Sequence, residues 1–543
     1  MAETNEDLVE DTLACFQSIS GDRGNWESHW QEIAERMYPA HKDNMRLNEF
    51  TNPGQKKNEF IFDSTPVIAL ERFTSIVTSL LTPDNSTWHR LMPTDESLRR
   101  NRDVKLWFEH VNRILWDRRR APSANFAGQN IQVYESLGAF GTGILFVDEN
   151  RDQGGLRYRN LPLGTTFIAE NHQGQVDTIY RQFKMDGRQL MQRFPKAPLP
   201  DEVTEGETDK KGKRQQYTVV HCVKPNTEYD PSRLDSVFGR PFTSVYILKE
   251  KKTLLERSGY RTFPAPTGRY RQSPGEVYGR SPGMSALPAT KTLNEEKKTV
   301  LKQGHRTVDP ILLLHDDGVL DGFSMKPGAL NYGGVNEEGR PLVHTLPTGN
   351  VIIGKEMMDD ERMIINDAFL VNLFQILTEN PRMTATEVIE RTREKGILLA
   401  PTIGRQQSEY LGPLIEREID VLMDQGLLPE MPQVLVEAQG DYRIEYDNPM
   451  SRAARAEESA GFIRSLETTL NIVNVTGSPE PLDHFNFDVA VPEISSINGV
   501  PERFMNSMEQ VKALRDGRAE QQQQQMLLEG AKPMADLVKA SKE

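Results

Sequence analysis

The chain has 543 residues, of which 37% are hydrophobic and 27% charged, so it holds about two to four domains of ordinary globular composition. Its longest apolar runs, such as Ile311 to Leu314 and Val351 to Ile353, fall far short of the ~18 residues a membrane-spanning helix needs, and two cysteines, Cys15 and Cys222, exclude a disulfide framework or a Cys-rich zinc site. A net charge of −14 argues against a tight grip on DNA phosphates, yet it suits a wall that a duplex must slide past.

The acidic start, Met1 to Asp7, lacks the basic-then-apolar order of a secretory signal, which predicts a protein that stays where it is made. Apolar residues at helical spacing predict helices over 7–16 and 26–37, the second ended by Pro39. After a polar loop, Asp63-Ser64-Thr65-Pro66 opens a helix, with Ser64 or Thr65 as expected cap and Pro83 as stop. Another helix is expected over about 95–119 and a further one over 126–140. Short alternating segments at 143–147, 156–160, 165–169, 176–183, 217–223 and 243–248 then predict a β-rich domain, with a polar surface loop at 202–216. Residues 282–306 turn helical, opening near Pro282 and crowded at the end with Lys297, Lys298, Lys302, His305 and Arg306, as the helix dipole favours. The segment 307–354 is rich in Gly and Pro, with short apolar strands, and 355–378 is again helical. A long helix starts at Thr384, where Thr384 and Glu387 fit a capping box. It bends near Pro401 and runs to about Leu422, and helices return from about 450.

Few motifs point to chemistry. Gly349 to Lys355 has the spacing of a phosphate-binding loop, but Glu356 stands where a Ser or Thr would hold magnesium, and Val351-Ile352-Ile353 resists the tight curve. The segment reads as a strand running into a helix. Gly138-Ala139-Phe140-Gly141-Thr142-Gly143 has the wrong glycine spacing for a dinucleotide site and reads as close helix-to-strand packing. The histidines are scattered, and no catalytic, cofactor-binding or metal-binding set is expected.

Several segments, in order, resemble one family. They are Trp30 to Pro39, Phe62-Asp63-Ser64-Thr65, Ser79 to Pro83 with Trp88, and Asn125-Phe126. Further along come Phe140-Gly141-Thr142-Gly143, Tyr278 to Gly283 with Ala286-Leu287-Pro288 and Leu293-Asn294, and Pro381 to Val388. Across about residues 25–500 the chain resembles the head-to-tail connector, or portal, of short-tailed bacteriophages. The resemblance implies an α+β portal fold. Residues 1–281 would form a wing, helical first and β-rich over 140–280. Stem helices 282–306 and 355–378 would flank a small α/β clip at 307–354. A channel loop at 379–383, a long bent helix with wing return at 384–449, and a helical crown at 450–543 would complete it.

The resemblance further implies a cyclic homo-oligomer, usually a dodecamer, at a capsid vertex of the virion, assembled in the host cytoplasm. Double-stranded DNA would pass through it without sequence specificity. Its partners would be the large terminase subunit, tail adaptor and tail tube proteins, major capsid and scaffolding proteins, and internal core or ejection proteins, with no membrane. Lys291, Lys298 and Lys302 are spaced by seven and four, so they share one helix face and are candidate DNA-facing rings, or else carry subunit salt bridges. Asn380, Arg382 and Met383 of the channel loop are the other candidates, with Thr384 and Glu387 capping the helix that braces it. No cofactor is implied and no enzyme. The rival readings are another virion component of the tail or internal core, and an ATP-driven packaging enzyme.

Overall fold

The computed structural model describes the chain from residue 5 to residue 523, apart from 46–53, 55, 60, 151–152, 205–214, 234–235, 315–323, 325, 348–350, 373–399, 439, 448, 498–499, 501–503 and 508. The chain divides into two compact units, one of residues 1–82 and 122–421, the other of 83–121 and 422–543.

In the first unit, α1 (Asn5–Gly21) and α2 (Gly24–Arg36) lead to α3 (Thr65–Leu81). Ser64 stands at the N-cap position of α3, within the expected pair, but the capping bonds come from the residue before it. The Asp63 carboxylate takes the Thr65 amide at 3.0 Å and its hydroxyl at 2.6 Å, while Ser64 makes no capping bond. A carboxylate at a helix start also meets the positive end of the dipole.

The helix α5 (Phe126–Phe140) ends at Gly141, whose φ of 83° reverses the chain into β2 (Thr142–Glu149). Strand β2 lies between β3 (Leu156–Asn160) and β9 (Thr267–Arg269) in one sheet. A second sheet is an antiparallel meander of β4 (Thr166–Glu170), β5 (Val176–Asp186), β6 (Gln216–Pro225), β7 (Phe242–Leu248) and β8 (Thr253–Tyr260). Phe16 of α1 packs edge-on against Phe167 of β4 at 5.2 Å, and Leu8 and Val9 cluster with Val245 and Ile247 of β7. Six strands lie where alternation predicts them. Strands β8 and β9 were not expected, because Thr253 to Tyr260 is half-buried at every position but Leu255 and Thr267 to Arg269 is a three-residue strand that pairs with distant β2. The helix α6 (Gly187–Arg193) is also additional, and is opened by a capping box between Asp186 and Gln189. A short helix α7 (Asp201–Thr204) begins the expected polar loop.

Two long helices follow, α8 (Pro282–Val308) and α9 (Val351–Ala368). Between them β10 (Leu312–Leu314) pairs antiparallel with β11 (Val343–Thr345). Val351 to Ile353 form the first turn of α9 and not a strand. Gly354 lies so close to α8 that a Cβ there would sit 2.7 Å from Val300 Cγ2, and this packing overrides the β preference of the three residues before it.

The regular helix is interrupted after Ala368 by a turn at 369–370 and is helical again at 371–372, while 373–378 lies outside the described residues. Leu370 adopts a φ of 60°, which lets Phe369 and Val371 bury, the former edge-on to Phe73 at 6.0 Å. Of the predicted long helix, 384–399 lies outside the described residues. The part that follows is irregular at a π turn, Gln407–Leu411, before α10 (Gly412–Asp424). There Tyr410 is fully buried and donates to Asn130 Oδ1 at 2.6 Å, and Gln406 donates to the Arg269 carbonyl at 2.7 Å, so the extra residue in the turn serves contacts to α5 and β9.

In the second unit, β1 (His89–Pro93) pairs with β12 (Tyr442–Tyr446) beside α4 (Arg102–Arg120). Helix α4 starts at Asn101, later than the expected 95, because the Asn101 side chain caps the Asp103 and Val104 amides. Asn112 of α4 takes the Leu91 amide at 2.9 Å and donates to its carbonyl at 3.1 Å, closing that part of the free edge of β1 as a neighbouring strand would. Beyond α11 (Gln433–Glu437) come α12 (Pro449–Thr476), α13 (Phe487–Ile497) and a helical stretch over 509–523, which holds the first part of the Gln run. No helix among the described residues is long and apolar enough to cross a membrane.

Candidate DNA-channel helix pair

Helices α8 and α9 pack against each other, and three contacts set their direction. Val300 meets Gly354, the Glu296 carboxyl feels that of Glu361, and Asn294 and Arg362 are joined through Asp63. As the position falls along α8 it rises along α9, so the pair is antiparallel.

Asp63 is the clamp. Its Oδ2 takes Arg362 Nη2 of α9 at 2.6 Å, while its own amide and that of Phe62 donate to Asn294 Oδ1 of α8 at 3.3 and 3.2 Å. The carboxylate is 7% exposed. Burial alone would raise its pKa, but the bonds from Thr65 and Arg362 outweigh burial and hold it below the usual carboxylate value. Three segments far apart in sequence are thereby tied at one buried acid.

The lead into α8 is fixed just as closely. Ser281 caps the helix, its Oγ taking the Met284 amide at 2.8 Å and donating to the Ala139 carbonyl at 2.8 Å. A Cβ at Gly283 would stand 2.8 Å from that same carbonyl, and one at Gly141 would fall against the Gly279 carbonyl, well inside contact distance. Gly279 donates its amide to Thr142 Oγ1 at 2.9 Å. Tyr278 completes the joint, edge-on to the buried Trp30 at 5.0 Å with its hydroxyl accepting the Ile168 amide at 3.3 Å. The glycines around 141 and 279 therefore exist for each other: two backbones cross where no side chain fits.

The predicted lysines fare differently. Lys291 is ion-paired to Glu32 of α2 at 3.1 Å, and Lys298 to Glu295 at 3.5 Å, with its ammonium 5.9 Å from the Phe62 ring centroid. Lys302 is exposed, with no ion pair among the described residues. It lines a recess of about 230 Å³ with Thr299, Gln303, Arg306, Ile311 and Leu346. Asn380, Arg382, Met383, Thr384 and Glu387 lie outside the described residues.

Sequence reasoning singled out neither Asp63 as the clamp nor Arg362 at all. The signal for Asp63 was its place before Ser64-Thr65-Pro66 at a helix start. Arg362 sits in an ordinary charged helix face, and only packing distinguishes it.

The family model for the bacteriophage head to tail connecting protein matches residues 10–505. The chain belongs to this family. Among its relatives, the connector is 31% identical to the portal protein of Salmonella phage epsilon15, over 96% of this chain and 93% of that one. It is equally 31% identical, with the same coverage, to the probable portal protein of Bordetella phage BPP-1. In this connector the Gly141–Gly279 crossing and the Asp63–Asn294 bonds join the very segments that carry the family resemblance, which places their value in tertiary contact.

Proposed function

We propose that this connector is one subunit of a closed ring at a capsid vertex, through which double-stranded DNA is packaged and later ejected. The antiparallel α8–α9 pair, in a chain of the head-to-tail connecting family, is the observation that carries the reading. Copies of the pair line the hole, 307–354 projects as the clip, 379–383 forms the channel loop, and the helices from 450 form the crown. The ring is a dodecamer. It receives the packaging motor first and tail proteins afterwards, while capsid, scaffolding and internal core proteins surround it. Hydrolysis of ATP belongs to the motor, in keeping with Glu356 at the position a magnesium-binding hydroxyl would need.

DNA contacts in such a channel are to phosphates and carry no sequence information. Of the three candidate lysines, Lys291 and Lys298 are already paired within the chain, so neither offers an unspent charge to the duplex. Electron microscopy of the purified protein with symmetry classification is the test. Twelve-fold rings with a central hole are expected; a monomer, a fibre or a spike overturns the reading.

A further inference from the structure

The two helices of the pair carry opposite charge. Helix α8 holds Lys291, Lys297, Lys298, Lys302 and Arg306 against Glu295 and Glu296, whereas α9 holds five carboxylates against Lys355 and Arg362. Part of that charge is spent inside the chain, on Lys291–Glu32, Lys298–Glu295, Arg362–Asp63 and Arg362–Asp359. Lys302 and Arg306 of α8 remain, exposed and without an ion pair among the described residues, and so do Glu356 and Asp360 of α9.

The antiparallel arrangement puts these four groups toward the same end of the helix pair, yet no ion pair joins them within the chain, because they lie on different outer faces. Each face has an apolar companion. Glu356 and Asp360 adjoin an exposed stripe of Ile353, Met357 and Ile364, each at least half exposed. Lys302 and Arg306 border the recess of about 230 Å³, where Ile311, Leu346 and Pro347 supply apolar wall.

We propose that this recess receives α9 of a second copy of the chain, its Glu356 pairing with Lys302 and Arg306, Asp360 following one turn on, and its Ile353–Met357 stripe covering Ile311 and Leu346. The inference rests on the ring reading and adds the contact that closes the ring. A head-to-tail ring joins two different patches of one subunit, and rotation about a single axis keeps every residue at its own height. Patches at the same end of an antiparallel pair that runs along the axis are therefore the ones neighbours bring together. A DNA phosphate would satisfy Lys302 and Arg306 but would leave the acids and the apolar stripe of α9 uncovered. A second copy answers both. Complementary charges of this kind fix register and suppress wrong pairings.

Charge exchange tests it. Lys302→Glu with Arg306→Glu in one protein, and Glu356→Lys with Asp360→Lys in another, each set like charges face to face. Ring yield at fixed concentration, read by native mass spectrometry, should fall by roughly tenfold or more in each. Mixed in equal amounts, the two proteins should form rings of alternating subunits, since every junction is again between opposite charges. Folding is checked by thermal unfolding of each protein alone, and rescue by mixing arises only from contact between copies. Undiminished rings in either double variant, or failure of the mixture to assemble, overturns the proposal while wild-type rings leave the ring reading standing. Intact rings with reduced DNA retention in the Lys302→Glu, Arg306→Glu protein also overturn it, and assign the recess to DNA.

Discussion

The two halves of α8 are built to different ends. From Pro282 to Asn294 the helix is packed on the body of its unit: Ala286, Leu287, Ala289, Thr290 and Leu293 are buried, Ser281 caps it on the Ala139 carbonyl, and Asn294 is held by the Asp63 clamp. From Glu295 on, nothing is buried to that degree. Leu301 is 44% exposed and Val308 87%, and cations gather at the end. The first half has its contacts within one chain. The second half offers apolar surface and charge that the chain itself does not satisfy, which is how an element prepared for assembly differs from a core helix.

That contrast is easiest to break at its anchored end. Replacing Gly141 by Ala forces a side chain into the Gly279 carbonyl at a φ of 83°, and should lower unfolding free energy in denaturant titrations by about 3 kcal/mol. A loss under about 1 kcal/mol would mean that the crossing relaxes easily and anchors little. Asp63→Ala, which takes from Arg362 one of its two carboxylate partners and leaves the first amide of α3 without its acceptor, should cost about 2 kcal/mol in the same titration and should loosen α9 in hydrogen exchange.

Acid separates the clamp from the second sheet. His221 is fully buried there, accepting from Arg181 at 2.8 Å and stacked on Tyr246 at 3.9 Å; burial first, then the Arg181 charge, push its pKa well below 6.5. The folded state therefore binds fewer protons than the unfolded one, so stability contributed by neutral His221 is complete above pH 6.5 and is lost as pH falls below it. Asp63 is also depressed, but from 3.8, so its contribution persists until pH drops below that value. Thermal unfolding followed from pH 7 to 4 should decline, and His221→Gln should lessen that decline, with buried His89 carrying part of the remainder, while Asp63→Asn leaves its slope unchanged over the same range. The smallest effect belongs to the free end. Val308→Ser should change the stability of the isolated chain by less than about 0.5 kcal/mol, and a larger loss would show that the second half of α8 is packed after all.

The helices α2, α3, α5 and α8 and six strands were readable because each has a clean period and a residue that ends it, such as Pro39, Pro83 or Gly141. Misreadings came where a distant contact overrode a local preference. Val351 to Ile353 look like a strand and are helical because Gly354 meets Val300; β9 is only three residues and is a strand because β2 lies beside it. Spacing could put the candidate lysines near one helix face, but it could not tell that Glu32 would engage Lys291 or that Lys302 would have no ion pair among the described residues.

By itself the sequence determined the class of the protein: an acidic α+β chain with two helices around a Gly- and Pro-rich insertion, and an order of segments matching phage connectors. Periodicity, proline stops and composition act within a few residues, so they survive without a fold. Tertiary structure alone decided that Asp63 joins α3, α8 and α9, that Gly141 and Gly279 must both lack a side chain, and which charges on the helix pair remain unspent. Those depend on groups brought together across tens to hundreds of residues, and a charge or a glycine shows its purpose only against the neighbour it meets.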